Sequence, residues 1–306
     1  MTSQDEITRT ADRLKDALGA AAALMAAGDG TTRGPGRTIR PVRAWLFPAS
    51  VASVAAIAAA VALVAVLADH PAGDTGGRTV TAAFFGPVRL VDVSAPDPAA
   101  LTSPGVQAAR GSVVKITGSA PSCYRSVEGS GFVYAPQHVI TAAHDVAGIT
   151  RGQTVTTAGG VKYRATVVFY DPRTDVAVLD VPGLKVAPLR FGAQAKSGDS
   201  AVVAGYPLDR AFTAVPARIA EVQRVEGTSI YQTGHVDRQV YVIRAPQPGD
   251  SGGPLLSPSG TVDGMVQEVE SGVSDTGFAL TAAYIQADAK AAASATAPVS
   301  TQACVP

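Results

Sequence analysis

The sequence predicts a mainly β protein: a β-barrel domain closed by a C-terminal helix and tethered behind one transmembrane helix. Three observations carry this expectation. From about residue 108 onward, short β-branched and alternating runs such as SVVKITG, VKYRATVVFYDP, DVAVLDV and VYVIRAP recur between turn signals. Residues 44–67 contain no charged side chain. After residue 105, TAAYIQADAKAAASA (281–295) is the one stretch with a helical look. At 306 residues the chain is long enough for one or two domains with a real core.

Taken in order, residues 1–43 form a cytoplasmic segment. Within it, 4–27 reads as an amphipathic helix, with Ser3 and Glu6 as a capping box and Ile7, Ala11, Leu14, Leu18, Ala21 and Met25 at helical spacing. A Gly/Pro/Arg-rich linker leads to the transmembrane helix, 44–68. An uncharged run of roughly 20 residues suffices to span a bilayer. Trp45 stands at its entrance, Arg33, Arg37, Arg40 and Arg43 precede it, and Asp69 and His70 follow. By the positive-inside rule the N-terminus is cytoplasmic and everything beyond Asp69 is extracytoplasmic, on the periplasm or cell-wall side. A cleavable signal peptide would have a much shorter segment ahead of its apolar core.

Residues 69–105, rich in Pro, Ala, Gly and Asp, read as an extended stalk with one short strand at 88–91. The barrel domain occupies 106–306. Cys123 and Cys304, the chain's two cysteines, fall on the exported side, where disulfides persist. If joined, they would close a loop of nearly the whole domain, for which chain-entropy reasoning gives roughly 4–5 kcal/mol.

The 25 basic and 25 acidic side chains cancel, which removes the electrostatic case for nucleic acid. The histidines are scattered and the cysteines lack ligand spacing, so no metal and no cofactor is implied.

Chemistry concentrates in PGDSGGP, residues 248–254. A serine hydroxyl becomes a useful nucleophile only when a base takes its proton and donors stabilise the oxyanion. Flanking glycines let backbone N–H groups turn toward a bound carbonyl, making Gly249 and Ser251 the candidate oxyanion donors. A second Gly-Asp-Ser, at 198–200, runs straight into an alternating strand and reads as a turn. Of the four histidines, His70 abuts the apolar span, His138 lies in a turn and His235 sits in a Gly-flanked loop. His144 ends VITAAH, where an apolar strand delivers small residues and then an imidazole. The carboxylate that would orient it is Asp171, Asp175 or Asp180, with spacing only weakly favouring Asp175.

GSGFVYAPQHVITAAHDVAG, VVFYDPRTDVAVLDV and PGDSGGPLLSPSGTVDGMV together resemble the chymotrypsin-fold, trypsin-like and HtrA-like serine proteases. From about residue 111 to 304 the likeness is greatest to the membrane-anchored acid-resistance serine proteases of actinobacteria. It extends to the cysteine of APSCYRSVEGSGF and the final ACVP. This resemblance implies a chymotrypsin-like double β-barrel. It implies His144 as general base then acid, Asp175 as its orienting group, Ser251 as nucleophile, Gly249 and Ser251 as the oxyanion hole, and a Cys123–Cys304 disulfide.

The chain departs from that pattern in several places. One apolar span stands where the relatives carry several. Asp145 follows the histidine where a small apolar residue is usual. The segment between Ala245 and Gly249 is one residue short. QEVES replaces small apolar residues; the resemblance places Ala245, Gln267 and Glu268 as the candidate specificity pocket, the alternative being that the glutamates are surface-exposed. No PDZ-like module follows the barrel, so a monomeric protease domain is expected.

The functional expectation is a membrane-anchored extracytoplasmic serine endopeptidase acting on protein or peptide substrates. The alternatives are a catalytically silent protease-fold sensor or binding protein, and a serine esterase.

Overall fold

The computed structural model describes residues 78–82, 85–207, 210–245, 251–269 and 275–305. The expected N-terminal helix and transmembrane span lie outside the described residues.

Two β-sheets and one small hairpin organise the described chain. The first sheet holds β3 (Val113–Ala120), β4 (Arg125–Ala135), β5 (His138–Thr141), β6 (Arg151–Thr156), β7 (Lys162–Arg164), β8 (Thr166–Asp171) and β9 (Val176–Asp180). Its strands follow the order β7-β6-β3-β4-β5-β9-β8. The second sheet holds β10 (Ser200–Gly205), β11 (Thr213–Gly227), β12 (Val236–Arg244), β13 (Pro254–Leu256), β14 (Val262–Val269) and β15 (Thr276–Thr281). It closes on itself as β10-β11-β12-β15-β14-β13. The double barrel expected from the sequence is therefore one closed barrel and one sheet whose ladder stops at β7 and β8.

Strand alternation places the core. In β9, Val176 and Val178 enter a cluster shared by both sheets, while Ala177 and Leu179 enter the interior of the first. In β12, Val240 and Val242 face the shared cluster, and Tyr241 and Ile243 face the interior of the closed barrel. Each sheet thus buries both faces, which explains why its strands read as near-continuous apolar runs.

The C-terminal helix expected from the sequence is present. Helix α2 (Ala282–Ala292, preceded in the chain by α1, Pro104–Ala109) is capped by Thr281, whose hydroxyl accepts from Tyr284 N–H at 3.2 Å. Ile285, Ala289 and Ala292, at helical spacing, enter the shared cluster.

The described part of the expected stalk is folded rather than extended. Strands β1 (Arg78–Ala82) and β2 (Gly86–Leu90) form an antiparallel hairpin. Phe85, Val88, Ala100 and Val106 join the shared core, so these few apolar residues draw the segment onto the barrel. Polar contacts fix its position: Arg89 pairs with Glu221, and its N–H donates to Gln223 Oε1 at 3.0 Å. Farther on, Arg244 donates to the Val93 carbonyl at 2.9 Å and Arg218 to that of Ala95 at 3.0 Å.

Cys123 and Cys304 are bonded, with Cα atoms 6.4 Å apart. Beside them the C-terminal tail is held to the segment that follows His144. Gly148 N–H donates to the Thr301 carbonyl at 3.1 Å, and Thr301 Oγ1 donates to the Ile149 carbonyl at 2.9 Å.

Candidate active site

Three chain segments converge where the two sheets meet. β5 ends at Thr141, and a short 3-10 turn, His144–Val146, follows. The preceding Ala142 and Ala143 are fully buried, their small side chains letting the chain dive beneath the surface before the imidazole emerges. The β8–β9 loop delivers Asp175 in a left-handed conformation, φ +60°. Ser251 stands at the start of the segment leading into β13.

These side chains form one line of contacts. Ser251 Oγ lies 2.6 Å from His144 Nε2, and His144 Nδ1 lies 2.8 Å from Asp175 Oδ2. The His144 backbone N–H donates to Asp175 Oδ1 at 2.9 Å, so both carboxylate oxygens address the same residue. With Nδ1–H donating to Asp175, Nε2 presents its lone pair to the serine. The hydroxyl also lies 2.8 Å from the Gln267 carbonyl, a second acceptor for its single proton. Ser130 N–H donates to the Ser251 carbonyl at 3.1 Å, which pins the nucleophile segment to β4.

Asp175 is 3% exposed, and burial alone would push its carboxyl up. The His144 charge, the two hydrogen bonds from His144 and the Arg238 guanidinium outweigh burial and hold it below the usual carboxylate range. Arg238, on β12, is buried and crosses from the closed barrel to this loop. Its Nη2 donates to the Arg173 carbonyl at 2.6 Å and to that of Thr228 at 2.7 Å.

The other sequence candidates separate by what holds them. Asp171 Oδ1 accepts from the Arg173 N–H at 2.7 Å and closes the turn ahead of Asp175. Asp180 sits at the far end of β9, opposite His138. His138 is buried, with ring nitrogens 2.8 Å from the Pro136 carbonyl and 2.9 Å from that of Ala295. The second Gly-Asp-Ser is a turn. Gly198 has φ +88°, Asp199 Oδ2 accepts from Lys196 N–H at 2.7 Å, and Arg218 donates to Ser200 Oγ at 3.1 Å.

Gln267, a candidate for the specificity pocket, is buried, and its Nε2 donates to the Asp175 carbonyl at 3.5 Å. The β-bulge between Val266 and Glu268 re-aims this part of β14. Asp145, which stands where a small apolar residue is usual in the family the chain resembles, is 6% exposed. Its Oδ1 lies 3.4 Å from His144 Nε2. Burial lifts its carboxyl to about 7, with the Asp175 charge adding and the His144 charge and Thr141 hydroxyl opposing. Ala245 is buried, its N–H donating to the Asp275 carbonyl at 3.0 Å. Gly249 and the Glu268 side chain fall outside the described residues.

Ser130, Arg238 and the Gln267 carbonyl went unrecognised in the sequence. The only trace was GSGF, whose small residues leave Ser130 free to approach the nucleophile. Among the described residues no group of three or more histidine, cysteine, aspartate or glutamate side chains is arranged to hold a metal ion.

The chain is similar in sequence and fold to several serine proteases. The trypsin-like peptidase domain matches residues 129–265. The serine protease Rv3671c of Mycobacterium tuberculosis is 45% identical over 235 residues, 76% of this chain and 58% of its own. The chain therefore spans little more than half the length of that relative. A probable periplasmic DegP-like serine endoprotease of Chlamydia pneumoniae is 32% identical over 154 residues, covering 50% of this chain and 31% of its own. Among solved structures, the active form of the M. tuberculosis Rv3671c protease matches with TM-score 0.69 at 46% identity, over 72% of this chain and 98% of that one. An inactive form of the same protease matches with TM-score 0.58 at 45% identity, over 66% and 98% of the two chains.

Proposed function

We propose that this chain, whose residues 129–265 match the trypsin-like peptidase domain, is a serine endopeptidase, anchored at the outer face of a membrane, that cleaves protein substrates through an acyl-enzyme. The observation that carries the proposal is the unbroken contact from Ser251 Oγ to His144 Nε2 at 2.6 Å and from His144 Nδ1 to Asp175 at 2.8 Å. Greater likeness to the active than to the inactive form of the mycobacterial protease supports it.

Each residue has a role in this reading. His144 Nε2 takes the Ser251 proton as Oγ bonds to the scissile carbonyl carbon. Asp175 keeps the Nδ1 proton in place and stabilises the imidazolium that forms. The charge on the carbonyl oxygen is received by main-chain N–H groups of Ser251 and Gly249. The imidazolium then returns its proton to the departing amine, whose bond to carbon breaks. Water, deprotonated at the same nitrogen, releases the acyl group and restores the serine. No step calls for a metal or cofactor.

Membrane anchoring rests on the uncharged stretch 44–67 and the arginines ahead of it. Extracytoplasmic placement is supported by the Cys123–Cys304 bond, a linkage that persists in oxidising compartments. The periplasmic designation of the chlamydial relative points the same way. A monomeric protease domain completes the proposal.

A fluorophosphonate probe tests the chemistry on the full chain. Wild-type protein should be labelled and should cleave casein, and Ser251→Ala should do neither. Labelling that survives the substitution would refute the assignment. Labelling without casein cleavage would favour an esterase.

A further inference from the structure

We infer that Asp145 is a positioning residue of this site, a second carboxyl that competes with Ser251 for the Nε2 side of the His144 ring and thereby sets the pH at which the imidazole can act as a base. The inference rests on the peptidase reading given above.

The carboxyl occupies a built position. Its Oδ1 stands 3.4 Å from His144 Nε2, the nitrogen that Ser251 Oγ approaches at 2.6 Å. Its Oδ2 lies 3.4 Å from the Thr141 hydroxyl. Glycines face it from two sides. A Cβ on Gly129 of β4 would come within 2.6 Å of Asp145 Cγ, and one on Gly252 would come within 2.8 Å of Asp145 Oδ2. Any side chain at either position would displace the carboxyl. Among the described residues, the titratable groups acting on it are His144, on its own turn, and Asp175, from the β8–β9 loop. β4, β5 and the nucleophile segment contribute the Gly129 backbone, the Thr141 hydroxyl and Gly252.

The two carboxylates act on opposite nitrogens. Asp175 binds Nδ1 and so selects the tautomer whose Nε2 lone pair faces the serine. Asp145 faces Nε2 itself. When ionised it favours the imidazolium, whose Nε2 proton points into the space between carboxylate and hydroxyl, and a ring in that form cannot accept the serine proton. When Asp145 carries its own proton, this competition ends. Burial brings the Asp145 carboxyl to about 7, so ring and carboxyl exchange protons as a coupled pair near neutrality. The acidic limb of the rate profile then belongs to the pair, and it lies at higher pH than the ring alone would give.

The test is the pH dependence of kcat/KM for a peptide substrate, measured on the full chain and on Asp145→Asn. Asparagine keeps the shape of the side chain and removes the charge. The rising acidic limb should move to lower pH by about one unit in the variant. A limb that stays in place in a variant with a cooperative thermal melt would overturn the inference. Nitrogen NMR of the wild-type histidine rings gives a second readout that needs neither the variant nor activity. The His144 signal should titrate in two steps, and a single step would overturn the inference even if Asp145→Asn did not fold. A wild-type chain inactive at every pH would sink the peptidase reading instead, and the ring titration would still decide the role of Asp145.

Discussion

The tightest constraint at the candidate site falls on a residue without a side chain. Gly252 follows the nucleophile in a left-handed conformation, φ +78°. A Cβ there would lie 2.2 Å from the Ser130 carbonyl oxygen, 2.4 Å from Thr141 Oγ1 and 2.8 Å from Asp145 Oδ2. The first of these contacts is with backbone and cannot yield without moving β4. The Gly252 N–H meanwhile donates to the Val266 carbonyl at 2.8 Å, tying the same residue to β14. Gly252→Ala must therefore either strain the turn or shift Ser251 away from His144. It should destabilise the fold by about 2–3 kcal/mol, from strain at a special backbone conformation. A denaturant melt checks the first effect, and loss of fluorophosphonate labelling in protein that remains folded checks the second. The need for glycine after the serine was legible in PGDSGGP. The reason for it, a backbone carbonyl from a strand more than a hundred residues upstream, was not.

Among elements, the strands and the C-terminal helix were readable because their periodicity reflects local geometry that any core would impose. Of residues 78–105, only the short strand expected at 88–91 was, overlapping β2. Their composition is that of a linker, and few apolar side chains hold it: Phe85, Val88 and Ala100 are buried in the shared core, with Val80, Leu90, Val93 and Leu101 packed against it. The choice among Asp171, Asp175 and Asp180 had the same limit. All three stand near one strand, and what separates them is tertiary: a turn to close, an imidazole to meet, and a strand end. Arg238 completes that selection, since β12 sends its guanidinium across to the Arg173 carbonyl, two residues before Asp175. Burial disfavours the charged form of Arg238, and the Asp175 charge opposes that effect. Replacing it with methionine keeps much of the volume but leaves the carbonyls of Arg173 and Thr228 without this donor and Asp175 without its nearby cation. Arg238→Met should cost about 3 kcal/mol in stability, the scale for removing one partner of a buried charge pair. It should also lower kcat more than it raises KM, because the damage reaches the imidazole through Asp175. A thermal melt and steady-state kinetics on the same preparation measure both effects.

At the scale of the whole molecule, the buried carboxyls among the described residues divide into two groups with opposite consequences for stability against pH. Asp175 is held below the ordinary carboxylate range, so its contribution is present above the unfolded-state value and is lost as pH falls through its folded value. Asp145 and Asp263 are lifted to about 7, chiefly by burial. In the folded chain they hold protons that the unfolded chain has released above about pH 4. Their contribution is complete below the unfolded value and disappears as pH rises from about 4 through 7. Between pH 5 and 7.5 only the second group changes, so the fold should melt at a higher temperature at pH 5 than at pH 7.5. Ser251→Ala is the protein to use, because it removes self-digestion during the scan. Asp263 separates this effect from the active site. It lies on β14, where its Oδ1 would stand 2.6 Å from a Cβ on Gly192, and its carboxyl is raised further by the Asp199 charge. Asp263→Asn in the Ser251→Ala background should flatten the rise in melting temperature toward acid without touching the contacts of His144. An unchanged slope would mean that Asp263 is ionised at pH 5 in the folded chain.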